Sequence, residues 1–508
     1  MTMPKDAAQA DADPVAPEQD QMLPQQHARF IWTVTSIAVA ALWVYPATAS
    51  LWLDELVTWW VVQDDLPTAI DRAFEYQQSP LYYVAAWLAK TLGGANEFTF
   101  RVPCLLFATG AAWFLHRIVL RLVGVEAARL AVLAFVVSPF VTFSASDARP
   151  YALAMMTLTG AALALTRWLD EGRRSDGWWF ALAVAATIWA HYLFAASVAA
   201  LLIYAAVRIR RRDSAIGSGA LVLALLGAAV LAAPLLAQVV SLWDRRSSLS
   251  IPADATFSGF AELLFVPVSV AGLVLGVLLA MLAGRLSVRV PTERRHAVAL
   301  FAPWALFAPT LLFMIAALSS IDFLSARYSF SVMPAVAALL GWGLASISPS
   351  SARRIVVVVM VMLAVLANGR PLKAGEDWRG AAAFERAVAD EGTIVLVHPA
   401  LIESAQPGWL SDPERRSYLL APLSFYPMDG QVVPMPYALD DDSESYLEDV
   451  VLPLAAKEEE FILVTRQSRV PFAAWLDGRL EEFGYGSRVL GSFGVVTVIE
   501  FVRTHATA

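Results

Sequence analysis

The chain has 508 residues, of which 58% are hydrophobic and 16% charged, with a formal net charge of −8 and one cysteine. A soluble domain normally carries about 25% charged residues, so this composition excludes an ordinary soluble enzyme. The single cysteine excludes an intrachain disulfide, and no basic stripe suggests a nucleic-acid partner. The charge deficit is confined to residues 30–368, which predicts a membrane part followed by a water-soluble part.

The first 29 residues are polar and show no periodicity. We therefore expect residues 1–29 to form a disordered cytoplasmic tail. The apolar run Ile31–Ser50 follows, and it is long enough to cross a bilayer. No basic region precedes a short apolar stretch, so this run is predicted to be a retained anchor rather than a cleaved signal peptide.

Hydropathy predicts about eleven transmembrane helices in a domain that covers residues 30–369. The predicted spans are 31–50, 98–122, 127–143, 148–168, 177–192, 193–209, 215–240, 263–284, 297–317, 326–347 and 355–368. A further apolar stretch, Pro80–Leu92, is too short to span and carries Lys90. We interpret it as a helix that lies at the membrane interface.

The positions of arginine predict the topology, because cytoplasmic loops collect basic residues. With Pro80–Leu92 at the interface, every arginine-rich loop falls on one side of the membrane. These groups are Arg117/Arg121/Arg129, Arg167/Arg173/Arg174, Arg208/Arg210/Arg211/Arg212, Arg285/Arg289/Arg294/Arg295 and Arg353/Arg354. The N-terminus is then cytoplasmic, and the first outer loop, residues 51–97, and the C-terminal domain are both extracytoplasmic.

Residues 370–508 are predicted to form a soluble α/β domain. Apolar runs typical of strands occur at Thr393–Val397, Phe461–Thr465 and Val495–Phe501, and an amphipathic stretch covers Trp378–Ala389. The domain contains no phosphate-binding glycine loop and no set of Cys and His residues with metal-ligand spacing. Its sequence alone therefore assigns it no chemistry.

Charged residues near a membrane are costly, and they are functional candidates for that reason. On the predicted topology seven ionisable side chains fall at the outer face: Asp54, Glu55, Arg101, Asp147, Arg149, His191 and Arg327. Taken alone, each of these side chains can be explained by a structural role, as a helix-end charge, a helix cap, a snorkelling arginine or a packed interfacial histidine. Together, carboxylates and guanidiniums at one interface fit the handling of an anionic lipid headgroup.

Tryptophan is abundant, at 17 residues. Trp52, Trp59 and Trp60 follow the first span, and we interpret them as part of an interfacial aromatic belt. The sequence does not identify any of the tryptophans as a sugar-stacking residue.

The order of several short motifs resembles the GT-C superfamily of membrane glycosyltransferases. The motifs are Leu53-Asp-Glu, Gln78-Ser-Pro-Leu-Tyr-Tyr83, Phe100-Arg-Val-Pro103, Ser144-Ala-Ser-Asp-Ala-Arg-Pro-Tyr-Ala-Leu153, His191-Tyr192, Arg327-Tyr328 and Glu376-Asp-Trp-Arg379. The resemblance is to the family 39 and dolichyl-phosphate-mannose protein mannosyltransferase-like bacterial enzymes, including the aminoarabinose transferase group. It covers roughly residues 30–390.

The resemblance implies an inverting transfer of a sugar from a polyprenyl-phosphate donor to an extracytoplasmic acceptor, at the plasma (inner) membrane of a bacterium. The acceptor would be a glycolipid, a polysaccharide or a protein. Asp54 would be the general base that deprotonates the acceptor, and Glu55 would support it. Asp147 matches the second acid of many such enzymes.

The remaining site residues fall into two groups. We expect the donor phosphate to be bound by Arg101, Arg149 and Arg327, and the substrates to contact Tyr82, Tyr151, His191 and Tyr328. Relatives often carry His or Lys before Pro-Pro-Leu, whereas this chain has Gln78-Ser79-Pro80-Leu81. The cofactor is unknown: a divalent metal is compatible with the resemblance, but no His-rich set indicates one.

Two other classes of function stay open at this point. A transporter or flippase for a lipid-linked sugar would carry charges near the bilayer midplane, and internal repeats, whereas the charges here cluster at one face. A noncatalytic assembly or sensor protein would use the C-terminal domain as a binding module.

Overall fold

A computed structural model of the chain describes residues 19–76, 78–244, 260, 281, 287–288, 295–318, 326–368, 375–466 and 472–503. The span predicted at 263–284, the domain boundary at 370 and the first 18 residues of the predicted tail lie outside these residues.

The membrane part is a bundle of helices. In chain order, the helices of this part are α1 (Gln19–Val39), α2 (Leu53–Val62), α3 (Leu66–Glu75), α4 (Pro80–Gly93), α5 (Glu97–Leu122), α6 (Val125–Val136), α7 (Pro139–Ala145), α8 (Tyr151–Glu171), α9 (Arg174–Ala190), α10 (Ala195–Arg210), α11 (Ser218–Ala232), α12 (Leu236–Asp244), α13 (Arg295–Leu318), α14 (Met333–Ala345) and α15 (Ser350–Asn368). A two-residue strand pair, β1 (Ser287–Val288) with β2 (Ile347–Ser348), joins two of the connections.

Within the described part of the chain, six helices are long and apolar enough to cross a bilayer. The span predicted at 127–143 is instead a bent pair: α6 and α7 meet at 69°, and Pro139 occupies the first position of α7. A proline there begins a new helix because it has no N–H for the preceding turn. With this pair counted as one span the total is seven, so the predicted eleven stays a prediction.

The arginine-rich loops meet at one end of the bundle through ion pairs. The pairs are Arg121–Asp170 at 3.0 Å, Arg208–Asp170 at 2.9 Å, Arg295–Asp213 at 3.4 Å and Arg353–Glu126 at 3.5 Å. The structure thus brings together the loops that the sequence assigns to the cytoplasmic side.

Helix α1 begins at Gln19, within the tail that the sequence predicts to be disordered. His27 lies 2.5 Å from Glu126 and accepts a hydrogen bond from Arg354 at 3.1 Å. These contacts with α6 and α15 stabilise a helical turn that the polar sequence alone does not specify.

Helix α2 follows the first span at the opposite end of the bundle from the arginine-rich loops. Trp52 is its N-cap residue, and the Glu55 side chain accepts a hydrogen bond from the Trp52 backbone N–H. This hydrogen bond satisfies an N–H group that has no partner inside the helix. Nine of the ten side chains of α2 are buried, and Asp54 is the exception. The helix therefore presents one carboxylate from an otherwise buried element.

The C-terminal part contains a five-stranded sheet with the order β4-β3-β5-β7-β6. Its strands are β3 (Ile394–His398), β4 (Gln431–Pro434), β5 (Glu460–Arg466), β6 (Tyr485–Phe493) and β7 (Val496–Arg503). Its helices are α16 (Trp378–Val388), α17 (Pro407–Ser411), α18 (Pro413–Leu419), α19 (Ala421–Phe425), α20 (Asp441–Tyr446), α21 (Leu452–Ala455) and α22 (Phe472–Leu480). Strand β3 is parallel to β4 and β5, while β7 is antiparallel to β5 and β6. The predicted α/β pattern is confirmed in the sheet and in α16.

The C-terminal part packs directly on α2. The indole N–H of Trp59 donates to the Ser424 carbonyl at 3.1 Å, and that of Trp60 donates to the Ser417 hydroxyl at 2.8 Å. The interpretation of these tryptophans as an interfacial belt is therefore wrong. They are buried because α18 and α19 cover them, which a local hydropathy pattern does not reveal.

Candidate active site

Asp54 lies in the first turn of α2, and two arginines from distant segments face its carboxylate. Its Oδ2 atom lies 3.4 Å from Nη1 of Arg327 and 4.0 Å from Nη2 of Arg149. The Asp54 side chain keeps 25% of its surface exposed. The helix N-terminus also favours a negative charge at this position. The site thus pairs an accessible carboxylate with two guanidiniums.

Arg149 precedes α8 and is held by several neighbours. Its Nη1 atom donates to the Asp54 carbonyl, the Thr58 hydroxyl and the Tyr83 hydroxyl, each at 3.4 Å. The side chain is 14% exposed. Long contacts of this kind hold the guanidinium in place and leave its donors available for a stronger acceptor.

Arg327 lies in a 3₁₀ segment, Ala326–Val332, that leads into α14. Its side chain is 42% exposed, the largest exposure of the three residues Asp54, Arg149 and Arg327. The side chain of the neighbouring Tyr328 lies outside the part of the chain that the structure describes, so its predicted substrate contact stays a prediction.

Glu55 and Arg101 form a buried ion pair, and both side chains are 0% exposed. Glu55 accepts from Arg101 Nε at 2.7 Å, from Arg101 Nη2 at 2.5 Å and from the Ala148 N–H at 2.7 Å. Arg101 also donates to backbone carbonyls, including those of Ala47 at 3.0 Å and Ser50 at 3.0 Å. Because these groups already use the guanidinium, the geometry does not support the expected phosphate contact of Arg101. These contacts tie Arg101 and Glu55 to the turn that precedes α2, and the roles predicted for both residues stay predictions.

Asp147 is also buried, at 0% exposure, and its Oδ1 atom accepts the indole N–H of Trp52 at 2.8 Å. It lies one residue before Ala148, whose backbone N–H binds Glu55. The structure therefore places Asp147 in a buried position beside the residues that lead into α2, and its predicted catalytic role stays a prediction.

The aromatic candidates divide between two places. Tyr82 is 0% exposed with its hydroxyl 3.3 Å from the Cys104 sulfur, so the burial gives no support to its predicted substrate contact. Tyr151 and His191 pack together, with ring centroids 5.2 Å apart, and Tyr151 also contacts Phe330 at 5.1 Å. Since Phe330 belongs to the 3₁₀ segment of Arg327, these two rings pack beside that segment.

Sequence reasoning missed Tyr83, whose hydroxyl donates to Gln78 at 2.8 Å and contacts Arg149. Gln78 stands where relatives often carry a cation, and here its amide orients a tyrosine that in turn touches a guanidinium. The tyrosine pair Tyr82-Tyr83 was visible in the sequence, but only the helical phase of α4 decides which ring faces the site.

Among the residues that the structure describes, no group of three or more His, Cys, Asp and Glu side chains is arranged to hold a metal ion.

The comparisons with known proteins concern both the sequence and the fold. Residues 77–237 match the family model described as dolichyl-phosphate-mannose-protein mannosyltransferase. No curated protein sequence matches the chain. The fold is similar to that of the crystal structure of ArnT from Cupriavidus metallidurans bound to undecaprenyl phosphate, with a TM-score of 0.56 and 14% identity over 93% of this chain and 98% of that chain.

The apo crystal structure of the same ArnT matches with a TM-score of 0.53 and 13% identity, over 93% of this chain and 97% of that chain. The similarity includes the helical bundle and the C-terminal sheet, since nearly all of both chains is covered. The family model lies on the segment that carries Tyr83, Arg101 and Arg149. The family-model match over residues 77–237 and the similarity of fold support the resemblance of this chain to the GT-C superfamily of membrane glycosyltransferases.

Proposed function

We propose that this protein is an inverting glycosyltransferase of the plasma (inner) membrane that moves a sugar from a polyprenyl-phosphate donor to an extracytoplasmic acceptor. The acceptor would be a glycolipid, a polysaccharide or a protein. Asp54 is the general base, and Arg149 and Arg327 bind the donor phosphate. The N-terminus is cytoplasmic, and the C-terminal domain lies on the same extracytoplasmic side as Asp54.

One observation carries this proposal: the accessible carboxylate of Asp54 faces two guanidiniums at 3.4 and 4.0 Å. An inverting transfer needs a base on one side of the anomeric carbon and cations at the departing phosphate on the other. In a chain without substrate the two guanidiniums neutralise Asp54. A donor phosphate then competes for them, because guanidinium pairs bidentately with phosphate oxygens.

The bonds and charges of the proposed step balance. The acceptor hydroxyl oxygen attacks the anomeric carbon and forms the new glycosidic bond, while the bond from that carbon to the phosphate oxygen breaks. The hydroxyl proton passes to the Asp54 carboxylate. The bonding pair leaves with the polyprenyl phosphate, whose extra negative charge Arg149 and Arg327 stabilise.

The ArnT of similar fold was crystallised with undecaprenyl phosphate, which supports a lipid of this class as the carrier here. Both arginines keep part of their surface accessible to a donor phosphate, since Arg327 is 42% and Arg149 14% exposed. Arg101, with no exposed surface, has no share in phosphate binding under this proposal.

The test uses purified full-length protein in nanodiscs with a panel of polyprenyl-phosphate sugars and with membrane lipids and glycans as acceptors. Release of free polyprenyl phosphate by wild type and not by Asp54→Asn would establish the transferase and identify the sugar. A flippase would instead move the intact donor between leaflets of a proteoliposome without releasing polyprenyl phosphate. Equal transport by wild type and Asp54→Asn without release would overturn the proposal.

A further inference from the structure

The backbone N–H groups that lead into α2 are bound by side chains from the distant C-terminal domain. Leu51 donates to the Tyr426 hydroxyl at 2.9 Å, and Leu53 donates to Glu376 Oε2 at 2.9 Å. Trp52, between them, donates to Glu55 of α2 itself. The N–H groups at the start of a helix have no partners within it, so these acceptors decide where the helix begins.

Glu376 is fixed by contacts with other residues of the C-terminal domain. It is 6% exposed, its Oε1 atom pairs with Arg466 Nη2 at 2.7 Å, and its Oε2 atom also accepts the Trp378 indole N–H at 3.0 Å. Its backbone forms a bridge with Gly494, between β6 and β7. Since Arg466 is the last residue of β5, the sheet fixes the carboxylate that binds Leu53.

Tyr426 forms a second, separate link. Its hydroxyl donates to Glu97 Oε1 at 2.9 Å while it accepts from Leu51, and Arg379 Nη1 lies 3.1 Å from the same Glu97 oxygen. Glu97 is the first residue of α5, the helix that also carries Arg101. The turn before α2 is therefore attached both to the sheet and to the membrane bundle.

We propose that Glu376, assisted by Tyr426, is a positioning residue for Asp54. The C-terminal domain holds the first turn of α2 through these two side chains, and it thereby sets where the Asp54 carboxylate lies relative to Arg149 and Arg327. Asp54 is the residue directly after Leu53, so a shift of the Leu53 N–H moves the base itself. This proposal rests on the proposed function for its kinetic consequence, but its structural consequence is independent of any substrate.

The variants are Glu376→Ala, Glu376→Gln and Tyr426→Phe in the full-length protein in nanodiscs. Glu500→Gln is the matched control: Glu500 is another carboxylate of the C-terminal sheet, paired with the exposed Arg488 at 2.8 Å. Two readouts are measured for each: kcat and KM for the polyprenyl-phosphate sugar, and hydrogen–deuterium exchange of peptides from residues 51–62. Because exchange needs no substrate, it reports on α2 even if no donor is turned over.

We expect Glu376→Ala to lower kcat by about 10- to 100-fold, since displacement of a catalytic group by about 1 Å costs a factor of that order. The KM for the donor should change by less than about 3-fold, because the phosphate-binding arginines stay in place. Glu376→Gln should recover part of kcat, since its amide oxygen still accepts the Leu53 N–H. Tyr426→Phe should lower kcat by about 5-fold, the effect of one hydrogen bond.

Exchange over residues 51–62 should rise in Glu376→Ala and stay at the wild-type level in Glu500→Gln. Unchanged exchange in Glu376→Ala, or kcat within about 2-fold of wild type, would overturn the positioning role. Equal losses in Glu500→Gln would reveal a general effect of the domain and would overturn it too. If Glu376→Ala does not fold, Glu376→Gln and Tyr426→Phe decide. A wild type without turnover would refute the proposed function, while the exchange data would still decide the proposal for Glu376.

Discussion

Oδ2 of Asp54 lies 3.4 Å from Nη1 of Arg327, although 273 positions separate the two residues in the chain. A carboxylate and a guanidinium that stay partly exposed contribute little to stability, on the order of 0–1 kcal/mol. An accessible pair at the start of a helix is therefore better explained by chemistry than by folding. Under the proposed function both residues belong to the site, and their partial exposure leaves both accessible to a substrate.

The first prediction concerns the base. Asp54→Asn keeps the shape of the side chain but cannot accept a proton, so turnover should fall by about 10²- to 10⁴-fold, the usual share of a general base. The measurement is the release of polyprenyl phosphate by the purified variant. Asp71→Asn is the control, since Asp71 is exposed on α3 and its variant should keep wild-type turnover. Turnover by Asp54→Asn at the level of the control would refute the assignment.

The second prediction concerns the donor phosphate. Arg327→Gln removes one guanidinium, so KM for the polyprenyl-phosphate sugar should rise by roughly 10-fold, as expected for a lost hydrogen bond to a charged group. KM for the acceptor should stay near wild type. Arg488→Gln, which removes a guanidinium that is 72% exposed in the C-terminal sheet, is the control. An equal rise in both KM values would argue against a phosphate contact of Arg327.

The third prediction concerns the buried pair. Glu55→Gln leaves the Arg101 charge inside the protein with a neutral partner, which should lower the free energy of unfolding by about 3–5 kcal/mol. Thermal unfolding in detergent measures the loss, and the double variant Glu55→Gln with Arg101→Met should recover part of it. Arg479→Gln removes an exposed pair with Glu444 and should cost less than about 1 kcal/mol. Similar midpoints for Glu55→Gln and Arg479→Gln would contradict this account.

Sequence patterns predict those strands whose own residues carry a clear apolar run. Apolar runs predicted β3, β5 and β7, because these strands are largely buried and rich in branched apolar residues. Strand β6 was missed: it lies at the edge of the sheet, is mostly exposed and contains polar residues and glycines. Strand β4 has only four residues, too few for an alternating pattern.

The candidate site likewise contains residues that the sequence identifies and contacts that it does not predict. Asp54, Arg149 and Arg327 were identified as charges at one predicted membrane face, and the structure brings them together. Burial of Arg101 was not predictable, because a snorkelling arginine and a fully buried one look alike in an apolar run. The link between Glu376 and Leu53 spans 323 positions, and no pattern in a single sequence encodes such a contact.

The fourth prediction concerns pH and the C-terminal domain. Burial raises the pKa of the Glu385 carboxyl to about 7 from an ordinary value of 4.5, and the Asp429 N–H donates to it at 3.2 Å. The folded chain therefore holds this proton more tightly than the unfolded chain does. Raising the pH from about 4.5 to about 7 should lower the free energy of unfolding, by roughly 1–3 kcal/mol in total.

Glu385→Gln has no titrating group at this position, so the fall in the free energy of unfolding with rising pH should disappear. Above pH 7 the variant should unfold at a higher temperature than wild type, and near pH 4.5 the two should unfold together. Thermal unfolding of both full-length proteins across this range is the measurement. Glu391→Gln, which changes an exposed carboxyl nearby, should follow wild type. A pH dependence of Glu385→Gln equal to that of wild type would show that Glu385 does not cause the loss.

The last prediction concerns the sidedness of the chain. Asp65 is an exposed residue between α2 and α3, and Arg211 is exposed beyond the end of α10, near the arginine-rich ion pairs. On the proposed topology a cysteine at 65 should react with an impermeant thiol reagent added outside cells, and one at 211 should react only after permeabilisation. The native Cys104 provides an internal control, because it is buried and should not react in wild type. Reaction at 211 and not at 65 would reverse the topology and move Asp54 to the cytoplasmic side, where a donor sugar would meet different acceptors.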